Sequence, residues 1–279
     1  MNNNYLFTSE SVSEGHPDKM CDQISDAILD ECFRQDNLSR VACETAVGTG
    51  FAMVFGEITT KATVDYEKII KETIKNIGYT KEEYGYTPNN IKILNYIGEQ
   101  SKDIKAGVDN SLETRESDAA QISKQEGAGD QGMMFGYACD ETDIKMPLAI
   151  TLAHELLIKL RDSRKSSEIE YLRPDSKSQV TLEYDENHKV CRVDTVLIST
   201  QHDEGVSNEQ IEKDLEEDAN NVDEFGYVSR YDTLKASILI ERFRSLNSVA
   251  LLIKFNNLSV ENGFCINSKA PSFKESTAI

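Results

Sequence analysis

Nowhere in the 279 residues does an apolar run approach the roughly 18–20 positions needed to cross a bilayer, which excludes a membrane-spanning helix from the reading. The opening Met1-Asn2-Asn3-Asn4-Tyr5 has neither a basic cluster nor an apolar stretch, so no secretory signal is expected and a cytoplasmic setting is. Basic residues are scarce, 30 Lys+Arg against 49 Asp+Glu for a net charge of −19. A nucleic-acid surface needs a basic stripe that displaces counterions, and that class is excluded. An anionic nucleotide stays open as a ligand, because local lysines and metal ions reverse the field inside a cleft. The six cysteines (Cys21, Cys32, Cys43, Cys139, Cys191, Cys265) form no C-x-x-C pair. Neither a zinc site nor a disulfide framework is expected, and reduced, mostly buried thiols are.

What is present divides unevenly. Residues 1–218 hold 23 Lys+Arg and 43 Asp+Glu, whereas residues 219–279 hold seven and six. The chain is long enough for more than one core. In the first part, Pro17 opens a helix in which Met20, Ile24, Ala27 and Ile28 recur at helical spacing. Val41–Val47 and Phe51–Ile58 alternate around Gly48-Thr49-Gly50 as a hairpin. A second helix spans Val64–Ile77 and stops at Gly78, and Ile91, Ile93, Asn95 and Ile97 mark a further strand. The apolar pattern is lost between Gly98 and Asp118, a long loop of the kind that serves as a lid or linker. A second unit starts near Ser117. It contains a helix opened by Pro147 and bearing Leu148, Leu152, Leu156 and Leu160. Strands Gln179–Tyr184 and Val190–Thr200 and a polar helix Asn208–Glu217 complete it. Helices interleaved with antiparallel hairpins predict an α+β fold with sheets covered on one face. Leu234–Phe255 is apolar with weak helical periodicity.

Four places carry candidate chemistry. Ser13-Glu14-Gly15-His16-Pro17-Asp18-Lys19 sets an imidazole, a carboxylate and an ammonium at a helix N-terminus, where free N–H groups favour phosphate and a carboxylate can hold Mg²⁺. A capping arrangement with solvated Asp18 and Lys19 reads the same residues equally well. Glu44 and Glu57 lie mid-strand among apolar same-face neighbours, a costly position unless a cation or donor meets them, or unless solvent reaches that edge. Gly127-Ala128-Gly129-Asp130-Gln131-Gly132 lacks the Gly-Lys-Ser/Thr of a Walker loop; it is either a close-approach segment for a ligand or an ordinary turn. Asp175-Ser176-Lys177, after Arg173-Pro174, either sets a lysine on a polyphosphate or forms a polar turn.

Taken in order and spacing, Ser-Glu-Gly-His-Pro-Asp-Lys, Gly-Ala-Gly-Asp-Gln-Gly-Met-Met-Phe-Gly-Tyr-Ala and Leu-Arg-Pro-Asp-Ser-Lys-Ser-Gln-Val-Thr resemble methionine adenosyltransferase, from about Tyr5 to about Glu216. The resemblance implies three α+β domains related by pseudo-threefold symmetry, of which two are expected here: 1–110, with a mobile loop from about 99, and 117–218. It implies synthesis of S-adenosylmethionine from ATP and L-methionine with Mg²⁺ and K⁺, in a homodimer or dimer of dimers whose sites lie between subunits. By position it assigns His16 to the triphosphate and Lys177 to phosphate and catalysis. Asp130, Asp175 and Ser176 join them in ATP binding, Glu57 and Gln100 go to methionine, Asp18 to Mg²⁺ and Glu44 to K⁺.

The resemblance stops near Glu217. The Asn-Pro-Thr-Gly-Arg-Phe-like motif and the second glycine-rich segment that the family would show next do not occur in 219–279, which is expected to be an unrelated tail. Weak or absent turnover by this chain alone follows as an expectation. Two other readings stand beside it: a non-catalytic partner of an intact paralogue, and an unstable product of a disrupted gene.

Overall fold

A computed structural model describes residues 3–99, 135–220, 236–242 and 248–255, with 216–220 and the last two segments described as backbone only. Two compact units divide the chain as 17–138, and 1–16 with 139–279.

The unit 17–138 is built on α1 (Pro17–Gln35), the hairpin β2 (Arg40–Gly48) and β3 (Phe51–Thr59), α2 (Tyr66–Ile77) and β4 (Lys92–Gly98). Apolar residues every fourth position make α1 amphipathic, and Met20, Ile24, Ile28 and Cys32 are buried in one stripe. In α2 the stripe is Ile70, Ile74 and Ile77. Asp65 caps that helix by accepting the Lys68 N–H at 3.0 Å, which explains a start two residues after Val64. Both stripes close over Ala52, Val54 and Ile58 of β3 in a single core. Each fully buried Ile is worth about 1.5–3 kcal/mol of transfer free energy.

The strands run in the order β2-β3-β4. β2 and β3 pair antiparallel, as the hairpin pattern predicts, but β3 and β4 pair parallel. α2 is the crossover between them, since a parallel pair cannot be joined by a tight turn.

The other unit is a five-stranded sheet ordered β1-β5-β6-β8-β7, with β1 Tyr5–Val12, β5 Leu172–Tyr184, β6 Val190–His202, β7 Ala236–Arg242 and β8 Ser248–Phe255. Helices α3 (Leu148–Lys165) and α4 (Asn208–Asn220) accompany it. Along β5 the even-numbered residues from Leu172 to Tyr184 are buried, while Arg173, Asp175, Lys177 and Gln179 stand on the opposite face. The buried set meets Leu152, Leu156 and Leu160 of α3, and Ile211 and Leu215 of α4. Glu141 fixes the start of α3 by accepting the Leu148 N–H at 2.9 Å and the Tyr184 hydroxyl at 3.0 Å. Burial, and then this carboxylate, push the Tyr184 phenol well above its usual range.

Three features depart from the sequence reading. β1, first in the chain, belongs to the sheet of the second expected region, paired antiparallel to β5 from Tyr5↔Tyr184 to Val12↔Lys177. β5 begins at Leu172, so Arg173 to Lys177 are strand and not a polar turn. Residues 236–242 and 248–255, within the stretch expected to be an unrelated tail, are strands that extend the sheet from β6. Among the described residues no helix is long and apolar enough to cross a membrane.

Candidate functional site

Between β1 and α1 the chain makes the short link Ser13-Glu14-Gly15-His16, and three of these residues are fastened to other elements. Ser13 is 6% exposed. Its N–H donates to the Ser176 carbonyl at 2.9 Å, and its hydroxyl donates to the Pro174 carbonyl at 2.8 Å while accepting the Ser176 N–H at 2.7 Å. Glu14 turns the other way, to the last turn of α3, where it pairs with Arg164 and with Lys165 at 2.9 Å. Two cations at a helix C-terminus complement its negative dipole end, and Glu14 neutralises them from the link. Gly15 lies against Pro174 so closely that a Cβ there would sit 2.4 Å from the Pro174 carbonyl carbon and oxygen; only hydrogen fits.

His16 follows, its N–H donated to the Ser13 carbonyl at 3.1 Å. Asp175 feels the positive charges of both His16 and Lys177, which lower its carboxyl pKa, but burial acts more strongly and raises it overall. The structure thus groups His16, Asp175, Ser176 and Lys177 of the expected phosphate set on one framework. Lys177 is exposed on the open face of β5, opposite Val12 of β1 and Ser199 of β6. Arg173, one step from Pro174, is held by Asp203 at 2.9 Å. An imidazole on a backbone-anchored link and a lysine ammonium on the adjoining strand can bind an anion with several negative oxygens.

In the other unit, Asp18 is exposed in the first turn of α1. Glu44 faces Phe55 across the β2–β3 pair and Glu57 faces Ala42, so both carboxylates share the face turned away from the helices. Glu44 is exposed and Glu57 half-buried. Gly56, beside Glu57, has φ +125°, and a Cβ there would come within 2.1 Å of the Ala42 carbonyl oxygen. Among the described residues no three or more His, Cys, Asp or Glu converge as a metal cage. A single exposed carboxylate such as Asp18 still suits Mg²⁺, which commonly takes one or two carboxylates and completes its shell with phosphate oxygens and water. Gln100, Asp130, the Gly127–Gly132 segment and the expected mobile loop beyond Glu99 lie outside the described residues.

Sequence reasoning missed the anchoring groups. Ser13 and Gly15 sit inside a recognised motif, yet only the fold reveals their contacts with Pro174 and Ser176. Arg164 and Lys165 are 150 and 151 residues from Glu14, and a basic helix terminus carries no signal of its partner.

Residues 4–102 match the sequence pattern of the S-adenosylmethionine synthetase N-terminal domain, and residues 125–238 that of its central domain. An S-adenosylmethionine synthase of Staphylococcus epidermidis is 55% identical over 213 residues, covering 76% of this chain and 53% of that protein. The chain therefore spans about half the length of this curated relative.

Proposed function

On the premise that this chain belongs to the S-adenosylmethionine synthetase family, we propose that its site binds ATP by the triphosphate and serves the transfer of adenosine to L-methionine. The observation that carries this reading is the shared anchorage of His16 and Lys177. Both flank the Ser13–Ser176 hydrogen bonds, and both place positive charge on Asp175.

The chemistry needs no base, because a thioether sulfur has no proton to lose. Its lone pair forms the bond to the 5′ carbon of ATP. The carbon–oxygen pair leaves with the triphosphate, and sulfur becomes a sulfonium. What the protein must supply is alignment of sulfur with carbon and positive charge at the departing oxygen. Lys177 and His16 are the groups placed to supply that charge. Asp175 and Ser176, next to Lys177 in β5, are assigned to the nucleotide, as is Asp130. Asp18 is the residue that would hold Mg²⁺, which neutralises phosphate charge when bound. Glu57 and Gln100 are assigned to methionine and Glu44 to K⁺. The released triphosphate is then hydrolysed to phosphate and diphosphate. The same reading includes a cytoplasmic homodimer or dimer of dimers. Exposed Phe55 and Tyr96, 38% and 67% accessible, support an association surface on the three-stranded sheet.

Calorimetric titration with Mg-ATP and with tripolyphosphate tests the binding half, and product formation from ATP and methionine with Mg²⁺ and K⁺ tests the chemistry. His16→Ala and Lys177→Ala should each weaken triphosphate binding by tenfold or more, on the order of a lost charge-assisted contact. Native affinity in either variant would overturn the assignment.

A further inference from the structure

We propose that Ser13 is a positioning residue: it joins the histidine-bearing link to the lysine-bearing strand and thereby sets His16 against Asp175 and Lys177. The inference rests on the phosphate-binding reading of that site and adds to it the device that holds its two cationic arms in register.

The need for such a device is visible in β5. Its pairing with β6 shifts between Leu172↔His202 and Ser176↔Thr200, so four steps along β5 are matched by two along β6. Across this irregular stretch Pro174 has no N–H to donate. The Ser13 hydroxyl takes the place of a ladder partner, giving a hydrogen bond to the Pro174 carbonyl and receiving one from the Ser176 N–H. The Ser13 N–H reaches the Ser176 carbonyl, and the Ser13 carbonyl receives the His16 N–H. One small residue therefore bonds the backbone on both sides of Asp175 and the backbone of His16. Alanine would leave the Ser176 N–H and the Pro174 carbonyl without this partner at a buried position. Glu14 and Gly15 hold the same link from either side, Glu14 through Arg164 and Lys165 and Gly15 by its fit against Pro174.

The test is a set of titrations of tripolyphosphate, with Mg²⁺, into the full chain. Ser13→Ala should weaken binding about tenfold, as expected for two lost hydrogen bonds, and Ser13→Thr, which keeps the hydroxyl, should restore it to within about threefold. His16→Ala weakens binding independently. In the His16→Ala background Ser13→Ala should then cost less than twofold, because its effect passes through His16. Full additivity of the two changes, or native affinity in Ser13→Ala, overturns the positioning role while leaving the phosphate site intact. Native affinity in His16→Ala, or no binding by the unaltered chain, overturns the site itself and the inference with it. Should Ser13→Ala fail to give a cooperative melt, Ser13→Cys, of nearly the same volume with a weaker bond, replaces it. Affinity between those of Ser13→Ala's predicted value and the unaltered chain supports the role, and unchanged affinity sinks it.

Discussion

The two sheets hold their polar residues by different means. On the five-stranded sheet the candidate phosphate groups are placed by backbone and short hydroxyls: Ser13 bonds Pro174 and Ser176, and Gly15 presses on Pro174. On the three-stranded sheet Glu44 and Glu57 are placed by strand register, diagonal to one another on the face away from the helices. The difference teaches that a locked geometry suits groups that must meet charge developing at one atom, whereas a register-placed carboxylate suits a diffuse contact with an ammonium or a monovalent cation.

The largest expected effects test whether the two cores are separate. Leu152→Ala and Ile74→Ala each remove a fully buried side chain, one from each core, and should cost about 2–5 kcal/mol. Denaturant unfolding should show each change moving its own unit's transition; a common shift would break the comparison. Next comes the chemistry. Lys177→Ala should lower turnover by about 100–1,000-fold, the usual cost of a missing charge-stabilising group. Glu57→Gln should raise the half-saturating methionine concentration and leave Mg-ATP affinity unchanged, which steady-state kinetics would resolve. Gly56→Ala follows, at about 1–3 kcal/mol, because φ +125° and the Ala42 carbonyl both oppose a side chain.

The smallest effects are those of pH. Asp175 has its carboxyl pKa raised on folding, so the unfolded chain holds fewer protons in that window and stability falls as pH rises through it. Asp175→Asn should therefore melt higher than the native chain at neutral pH, with the gap closing below the ordinary carboxyl range, even as nucleotide binding weakens. Asp36 is the reverse case. The Lys61 and Leu38 N–H groups lower its pKa, so its contribution is present above the unfolded value and lost as pH falls through the folded one. Asp36→Asn should lower the neutral-pH melt relative to the acid one, opposite in sign to Asp175→Asn and smaller in size, since this carboxylate is at the surface.

Much of this was legible beforehand where one period dominated. The fourfold spacing in α1, the leucines of α3 and the alternation around Gly48-Thr49-Gly50 read correctly, because each element buries a single face. β5 read short. Its first five residues include a proline and two charges, which suggest a turn until β1 is known to lie alongside. The strands 236–242 and 248–255 were not legible behind a weak helical period, since β8 pairs with β6 and β7 with β8, and nothing local records those partners. In the site, His16, Asp175 and Lys177 were nameable from motifs. The Ser13–Pro174 and Glu14–Arg164 contacts were not, being set by tertiary approach across 150 or more residues.

Because β1 pairs with residues 177–184, the start of the chain has no partner until those residues leave the ribosome. At about 5–20 residues per second, that wait lasts on the order of ten to thirty seconds. Meanwhile the segment from α1 to β4 already holds the paired strands β2, β3 and β4, trailing an unsatisfied apolar edge that carries Tyr5, Leu6 and Phe7. The histidine link therefore takes its final shape late in synthesis, and any shortening that removes residues 172–184 would strand the first twelve residues as well.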